Sequence, residues 1–106
     1  MQFVVIGYDG EDDQALERRL AAREAHLAMG DRMRDEGTML YGAAILDDTE
    51  KMVGSVIILE MDSRAEVDRW LAEEPYVRGD VWRKIEVRPA RVGPSFANLK
   101  PVRATT

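Results

Sequence analysis

The sequence has no cysteine and only one histidine among its 106 residues. Without cysteine the chain can form no disulfide, no thiolate nucleophile and no cysteine-ligated metal site. One histidine gives too few ligands for a transition-metal cluster, and no glycine-rich phosphate-binding loop is present. We therefore expect a protein that uses neither a metal ion nor another cofactor.

Basic clusters and long apolar runs are missing as well. The 20 acidic and 15 basic side chains give a net charge of −5, and no window of five or six residues is wholly basic. Such a chain has no surface that would neutralise a row of phosphates, so nucleic acid is not an expected partner. The apolar run at residues 3–7 is too short for a signal peptide or a membrane span. The sequence predicts a soluble cytoplasmic protein that does not bind membranes.

The pattern of residues predicts four strands and two helices within a single domain over residues 1–106. "QFVVIGY" is typical of a buried strand, and the helix after it begins at Asp12 or Asp13 and ends at Gly37. "TMLYGAAIL" and "SVIILEM" flank a polar turn and predict a hairpin. Ser63 caps a second helix, which stops before Pro75; the loop "PYVRGD" follows.

The last predicted strand, "VWRKIEVRPARV", alternates between two faces. Its apolar face carries Val81, Ile85 and Val87, with Arg83 among them, whereas Trp82 falls on the mixed face. Residues 93–106 have two prolines and little periodicity, and we interpret them as an extended C-terminal tail.

The order βαββαβ predicts a ferredoxin-like α+β fold, with a four-stranded antiparallel sheet and both helices on one face. The other face of strands this apolar needs cover, and homodimerisation through the sheet supplies it. The alternative is that the tail folds back over that face through Phe96 and Leu99.

Arg23 and the single histidine, His26, lie one helical turn apart in the first helix. At 100° per residue, Leu16, Leu20 and Leu27 share a narrow stripe that we expect to face the sheet, with Arg23 in it and His26 at its edge. A guanidinium there needs a carboxylate, a ligand in a cavity, or an escape to solvent along its long stem. A purely structural role for both residues remains open at this point.

Four short motifs, in the same order, resemble those of the YciI-like (YCII-related) family: "REAHL" at residues 23–27, "DEG" at 35–37, "GS" at 54–55 and "EEPYVRGDVW" from Glu73. The resemblance spans nearly the whole chain and implies the dimeric α+β barrel fold that muconolactone isomerase has. It also implies that His26 pairs with a carboxylate before the "PY" dipeptide. That position is Glu74 here, where the family carries aspartate; Glu73 and Asp80 are alternatives.

A histidine–carboxylate pair is a general base with its orienting group, because imidazole exchanges protons near neutral pH. The sequence thus favours a small acid/base enzyme, with His26 and Glu74 as catalytic residues and Arg23 holding an anionic group. Isomerisation, elimination or hydrolysis of a small organic substrate, such as a cyclic or aromatic acid, fits this chemistry, and the family includes a dehydrochlorinase of chlorinated aromatic compounds. The alternative function is a noncatalytic dimeric module that binds a metabolite in the same cleft.

Two further residues are candidates for contact with the ligand. Ser55 begins the third predicted strand and can hydrogen-bond a substrate, although a role in strand entry accounts for it equally well. Tyr76 belongs to the "PY" position of the resemblance, and the other interpretation is a solvated loop residue.

Overall fold

The computed structural model describes residues 1–97 of the chain. The first two strands flank a long helix, and the second strand forms a hairpin with the third. A second helical segment precedes the fourth and last strand. In chain order the elements are β1 (Gln2–Asp9), α1 (Ala15–Glu36), β2 (Met39–Leu46), β3 (Met52–Glu60), α2 (Arg64–Glu73), α3 (Pro75–Arg78), β4 (Trp82–Ala90) and a 3₁₀ helix (Pro94–Phe96).

All strand pairings are antiparallel, and the order across the sheet is β2-β3-β1-β4. In the centre Val5 pairs with Ile57 on one side and Val87 on the other. Met33 of α1 and Trp70 of α2 belong to one buried core with Ile57, so both helices cover the same face. This is the ferredoxin-like α+β fold, as the order of elements predicted.

The ends of the helices follow local chemistry. Gly37 ends α1 in the left-handed conformation, at φ 81°, which costs glycine little. The Ser63 side chain caps α2 by accepting from the Glu66 backbone N–H at 3.3 Å. The cap predicted at Asp12 or Asp13 was wrong: α1 begins at Ala15, with Gln14 at the cap position. The Asp12 carboxylate binds the Arg18 guanidinium and accepts the Gln14 backbone N–H instead of capping the helix. The predicted loop after α2 contains the one-turn helix α3.

The predicted inward face of α1 was also wrong. Leu20 and Leu27 are 54% and 45% exposed, whereas Ala15, Arg19 and Met33 are buried. The buried face lies about 110° around the helix from the leucine stripe, at 100° per residue. Arg19, the polar residue on the buried face, pairs with Asp9 and Ser55 inside the protein. This face can therefore be buried although it is not the most apolar face of α1.

A bulge in the β1/β4 pairing moves Trp82 to the face that the alternation did not predict. Gly7 pairs with Ile85 but Asp9 pairs with Trp82. Over this interval β4 advances by three residues and β1 by two, so β4 contains one extra residue. Trp82 is therefore only 4% exposed and joins the core, while Arg83 points outward.

The second face of the sheet carries apolar side chains without cover from the described part of the chain. It includes four half-buried residues: Val4, Ile6, Val56 and Ile58. Phe96, predicted in the alternative to cover this face, is 61% exposed, and Leu99 lies outside the described residues. Across residues 1–97, no helix combines the length and apolar character required to cross a membrane.

Candidate functional site

A cleft of about 490 Å³ opens between α1 and the strands β2 and β3. Four of the five residues singled out from the sequence line it: Arg23, His26, Ser55 and Tyr76. The fifth, Glu74, is fully buried behind the wall and reaches the cleft only through His26. The remaining wall is mostly apolar or small, with residues such as Leu27, Met39, Gly42, Ala44 and Ile57.

His26 and Glu74 form a direct contact at the base of this cleft. His26 Nδ1 lies 2.5 Å from Glu74 Oε1, and the two side chains are 16% and 1% exposed. Glu74 is brought inward because it ends α2 and caps α3: its backbone is extended, at φ −62° and ψ 125°, and Pro75 begins the next helix. The same Oε1 also accepts the Tyr76 backbone N–H at 3.0 Å. The carboxylate thus fixes the imidazole and the start of α3 together.

Two aromatic rings hold the imidazole in place. The Tyr76 ring stacks on it with centroids 3.8 Å apart and planes 12° from parallel, and Trp82 meets it edge-on at 6.0 Å. Because Nδ1 is engaged by Glu74, the second ring nitrogen, Nε2, is the one left for a ligand. Nε2 makes no hydrogen bond with any residue in the range 1–97.

A buried ion pair that the sequence interpretation missed supports the same wall. The Arg19 side chain, 3% exposed, donates from Nη1 to both Asp9 oxygens at 2.9 and 3.0 Å, and from Nη2 to Ser55 Oγ at 2.9 Å. Its Cζ lies over the Tyr76 ring, 4.7 Å from the ring centroid. The positive guanidinium is attracted to the negative π face of the ring. Arg19 is seven residues before His26, and this spacing on one helical face was the available signal.

Ser55 lies inside β3 rather than at its start, because the strand begins at Met52. It is 3% exposed, and its Oγ accepts from Trp82 Nε1 at 3.2 Å as well as from Arg19. Ser55 therefore joins β3 to α1 and β4 through side chains, which strand entry alone does not require.

Arg23 lies on the cleft wall and is exposed. No ion pair joins it to the part of the chain that the structure describes, whereas Arg34, farther along α1, pairs with Asp31 at 3.6 Å. Arg23 thus borders the cleft with an exposed side chain, one turn from His26.

Burial raises the pKa of the Tyr76 phenol above its usual value, and the nearby Arg19 and Arg23 charges oppose this only in part. The phenol therefore stays neutral at physiological pH and can offer a hydrogen as well as accept one.

Comparison with known proteins places the chain in a family. The model of the YCII-related domain matches residues 1–91. The protein YciI of Escherichia coli is 32% identical over 95 residues, which cover 84% of this chain and 95% of that protein. An uncharacterised protein of Haemophilus influenzae is 30% identical over a stretch of the same coverage. The chain belongs to the YCII-related family, which confirms the resemblance found in its motifs.

Two solved structures share the fold. TftG, the 5-chloro-2-hydroxyhydroquinone dehydrochlorinase of Burkholderia phenoliruptrix, superposes with a TM-score of 0.76 over 90% of this chain and 98% of its own, at 23% identity. That structure is a complex with 2,5-dihydroxybenzoquinone. An antibiotic biosynthesis monooxygenase matches more distantly, with a TM-score of 0.50, 18% identity and coverage of 88% and 98%.

Proposed function

We propose that this protein is a small acid/base enzyme in which His26 moves a proton to and from a small organic anion. One observation carries the proposal: a fully buried Glu74 carboxylate holds Nδ1 of an imidazole whose Nε2 is left for the cleft. A catalytic base requires this combination of an oriented ring and an open nitrogen.

Glu74 sets the protonation pattern of the ring. A carboxylate accepts hydrogen bonds and cannot donate them, so Nδ1 carries the hydrogen and the lone pair sits on Nε2. When Nε2 takes a proton, the negative charge of Glu74 compensates the imidazolium that forms. Stacking on Tyr76 keeps the ring plane fixed while this happens.

The cleft fits a flat, largely apolar molecule that carries one anionic group. Its walls are mostly apolar or small, and the cleft-facing Arg23 supplies a positive charge one helical turn from His26. Side chains at this spacing start from Cβ atoms about 5–6 Å apart. A cyclic or aromatic acid meets these requirements. The quinone in the structure of TftG is a flat ring of this kind, and it supports the proposal as an example from a protein of the same fold.

Isomerisation and elimination both begin with proton abstraction from carbon, and the dyad is suited to that step. Hydrolysis through a covalent intermediate is less well supported, because Ser55 accepts two N–H groups and contacts no base among residues 1–97.

Exchange of carbon-bound hydrogen with solvent tests this function without knowledge of the natural substrate. A panel of cyclic and aromatic keto acids is incubated in heavy water with the protein, and deuterium incorporation is followed by proton NMR. We expect His26→Gln to reduce the exchange rate by at least about 100-fold, as loss of a general base does. Arg23→Ala should weaken binding of the acids, whereas Arg32→Ala, which removes an exposed arginine elsewhere on α1, should not. Equal exchange by wild type and His26→Gln would contradict the proposal.

A noncatalytic metabolite-binding module is the second candidate. The His26 side chain is only 16% exposed, which suffices for a hydrogen bond to a ligand but restricts access for a reacting carbon. This candidate predicts that the acids bind, that Arg23→Ala weakens them, and that no member of the panel exchanges hydrogen.

We also propose that the chain forms a homodimer through the second face of its sheet. Apolar faces of this extent are rarely left to water in stable proteins, and a second copy offers the same surface in return. The helices and the cleft remain outside such an interface, because they lie on the opposite face.

A further inference from the structure

The hydrogen-bonding capacity of Ser55 points to a group that the ligand must carry. A hydroxyl oxygen has two acceptor positions and one hydrogen to donate. Both acceptor positions are taken, by Arg19 Nη2 at 2.9 Å and Trp82 Nε1 at 3.2 Å. Guanidinium and indole nitrogens only donate, so neither can receive the Ser55 hydrogen.

No acceptor for that hydrogen exists among residues 1–97. The Asp9 carboxylate is the closest acid in this network, and it receives Arg19 rather than Ser55. Ser55 is 3% exposed and lines the cleft, so its hydrogen can be satisfied only from the cleft. Buried donors are rarely left without an acceptor, because their desolvation is costly.

The surroundings also fix what kind of donor Ser55 is. The positive charge of Arg19 polarises the O–H bond toward donation, and no base is in contact that would turn the oxygen into a nucleophile. Trp82 connects this donor to the dyad, since its ring lies against His26 while its Nε1 holds Ser55. The donor, Ser55, and the base, His26, therefore line the same cleft and are both held by Trp82.

We infer that Ser55 donates to a carbonyl oxygen of the substrate and stabilises the enolate that forms when His26 removes a proton from the adjacent carbon. This inference rests on the proposed function and narrows its substrate class to carbonyl compounds that also carry an anionic group. In the step itself the C–H bond breaks and its proton goes to Nε2. The C–H electron pair becomes the C=C bond of the enolate, and the π pair of the carbonyl group moves onto its oxygen. Where a second C=C bond is conjugated with the enolate, return of the proton to the far carbon of that system completes an isomerisation without any further reactant.

Paired ligands test the donor on the unmodified protein. The probes are 3- and 4-acetylbenzoate and their 3- and 4-isopropenyl isosteres, in which a CH₂ group replaces the carbonyl oxygen at nearly constant shape. We expect wild type to bind at least one acetyl compound about three- to tenfold more tightly than its isostere, the gain of one net hydrogen bond. The carbonyl stretch of the bound ketone should move to lower frequency, which an accepting Ser55 would not cause.

Variants assign the preference to Ser55. Ser55→Ala should remove the preference and keep the affinity for the isopropenyl compounds, and Ser55→Thr, which retains a hydroxyl, should restore it. Equal binding of both members of each pair by wild type overturns the inference and leaves the proposed function standing. A preference that persists in folded Ser55→Ala also overturns it. If wild type binds none of the four at millimolar concentration, the proposed substrate class fails with it.

Discussion

Trp82 can contact Ser55 and His26 because residue 7 of the neighbouring strand has no side chain. A Cβ built on Gly7 would lie 2.4 Å from the Trp82 ring, closer than any real contact allows. The indole in turn holds Ser55 and borders both His26 and Tyr76. The geometry of the site thus depends on the absence of a single methyl group.

Gly7→Ala should therefore destabilise the protein by about 1–3 kcal/mol, because the indole must leave its place. Gly42→Ala is the matched control, since the new Cβ there meets nothing nearer than Ile57 at 3.9 Å. Urea unfolding compares the two variants with wild type. Equal stability of both variants would show that Trp82 does not need the space above Gly7.

Tyr76 predicts a pH dependence at the alkaline end. Burial raises the pKa of its phenol in the folded protein, whereas an unfolded tyrosine titrates at about 10. The stability that Tyr76 contributes is then fully present below about pH 10 and is lost as the pH rises through the folded value. As the pH rises from about 10 toward the folded value, the free energy of unfolding should fall more steeply for wild type than for Tyr76→Phe. Parallel curves would contradict the assignment.

At the scale of elements, the junction between α2 and α3 has one residue with two tasks. Glu74 ends α2, and its side chain accepts the Tyr76 backbone N–H at the start of α3. The same oxygen contacts His26. The one-turn α3 is too short to be stable by itself, so it depends on this cap and on the burial of Tyr76.

Glu74→Ala should lower the free energy of unfolding by about 1–2 kcal/mol through loss of the cap. Glu73→Ala, at the exposed neighbouring position, should stay within about 0.5 kcal/mol of wild type. Thermal or urea unfolding measures both. A Glu74→Ala variant as stable as Glu73→Ala would mean that the carboxylate has no structural task.

The elements themselves could be predicted from the sequence, because runs such as "SVIIL" and the capping Ser63 act locally. The inward face of α1 could not. Arg19 and Asp9 are charged residues that normally remain solvated, and only the pairing of β1 with α1 in space shows that they neutralise each other. The burial of Trp82 was not predicted either, because the bulge in β4 breaks the alternation that the prediction assumed.

His26 and Glu74 were placed together by a different signal. Pro75 predicted the end of α2, and the family resemblance supplied the pairing with the first helix. The structure brings the two side chains into contact, whereas their catalytic role remains a proposal. Arg23 was expected on the inward stripe, but it stands on the exposed wall of the cleft.

At the scale of the whole molecule, the two faces of the sheet are unequal. One face packs against α1 and α2, and the other presents half-buried valines and isoleucines with Tyr41, which is 60% exposed. The proposed homodimer would remove this second face from water.

Sedimentation equilibrium should then give about twice the chain mass of 12.0 kDa at micromolar concentration. Ile58→Glu places a charge in the centre of the second face and should shift the protein to monomer. Leu20→Glu is the control, because it changes a leucine that is 54% exposed on α1, away from that face. A wild-type protein that sediments as a monomer would refute the dimer.

The tautomer of His26 tests the central claim most directly, and the single histidine of the chain leaves its imidazole nitrogen signals unambiguous. Long-range proton–nitrogen-15 NMR is recorded at a pH where the ring is neutral, for wild type and for Glu74→Ala. The account predicts that wild type carries its hydrogen on Nδ1, with Nε2 unprotonated, and that Glu74→Ala shifts the population toward Nε2–H, the form that free imidazole side chains prefer. A wild-type ring with its hydrogen on Nε2, or a tautomer unchanged by Glu74→Ala, would contradict the role of Glu74 as orienting group and of Nε2 as the base.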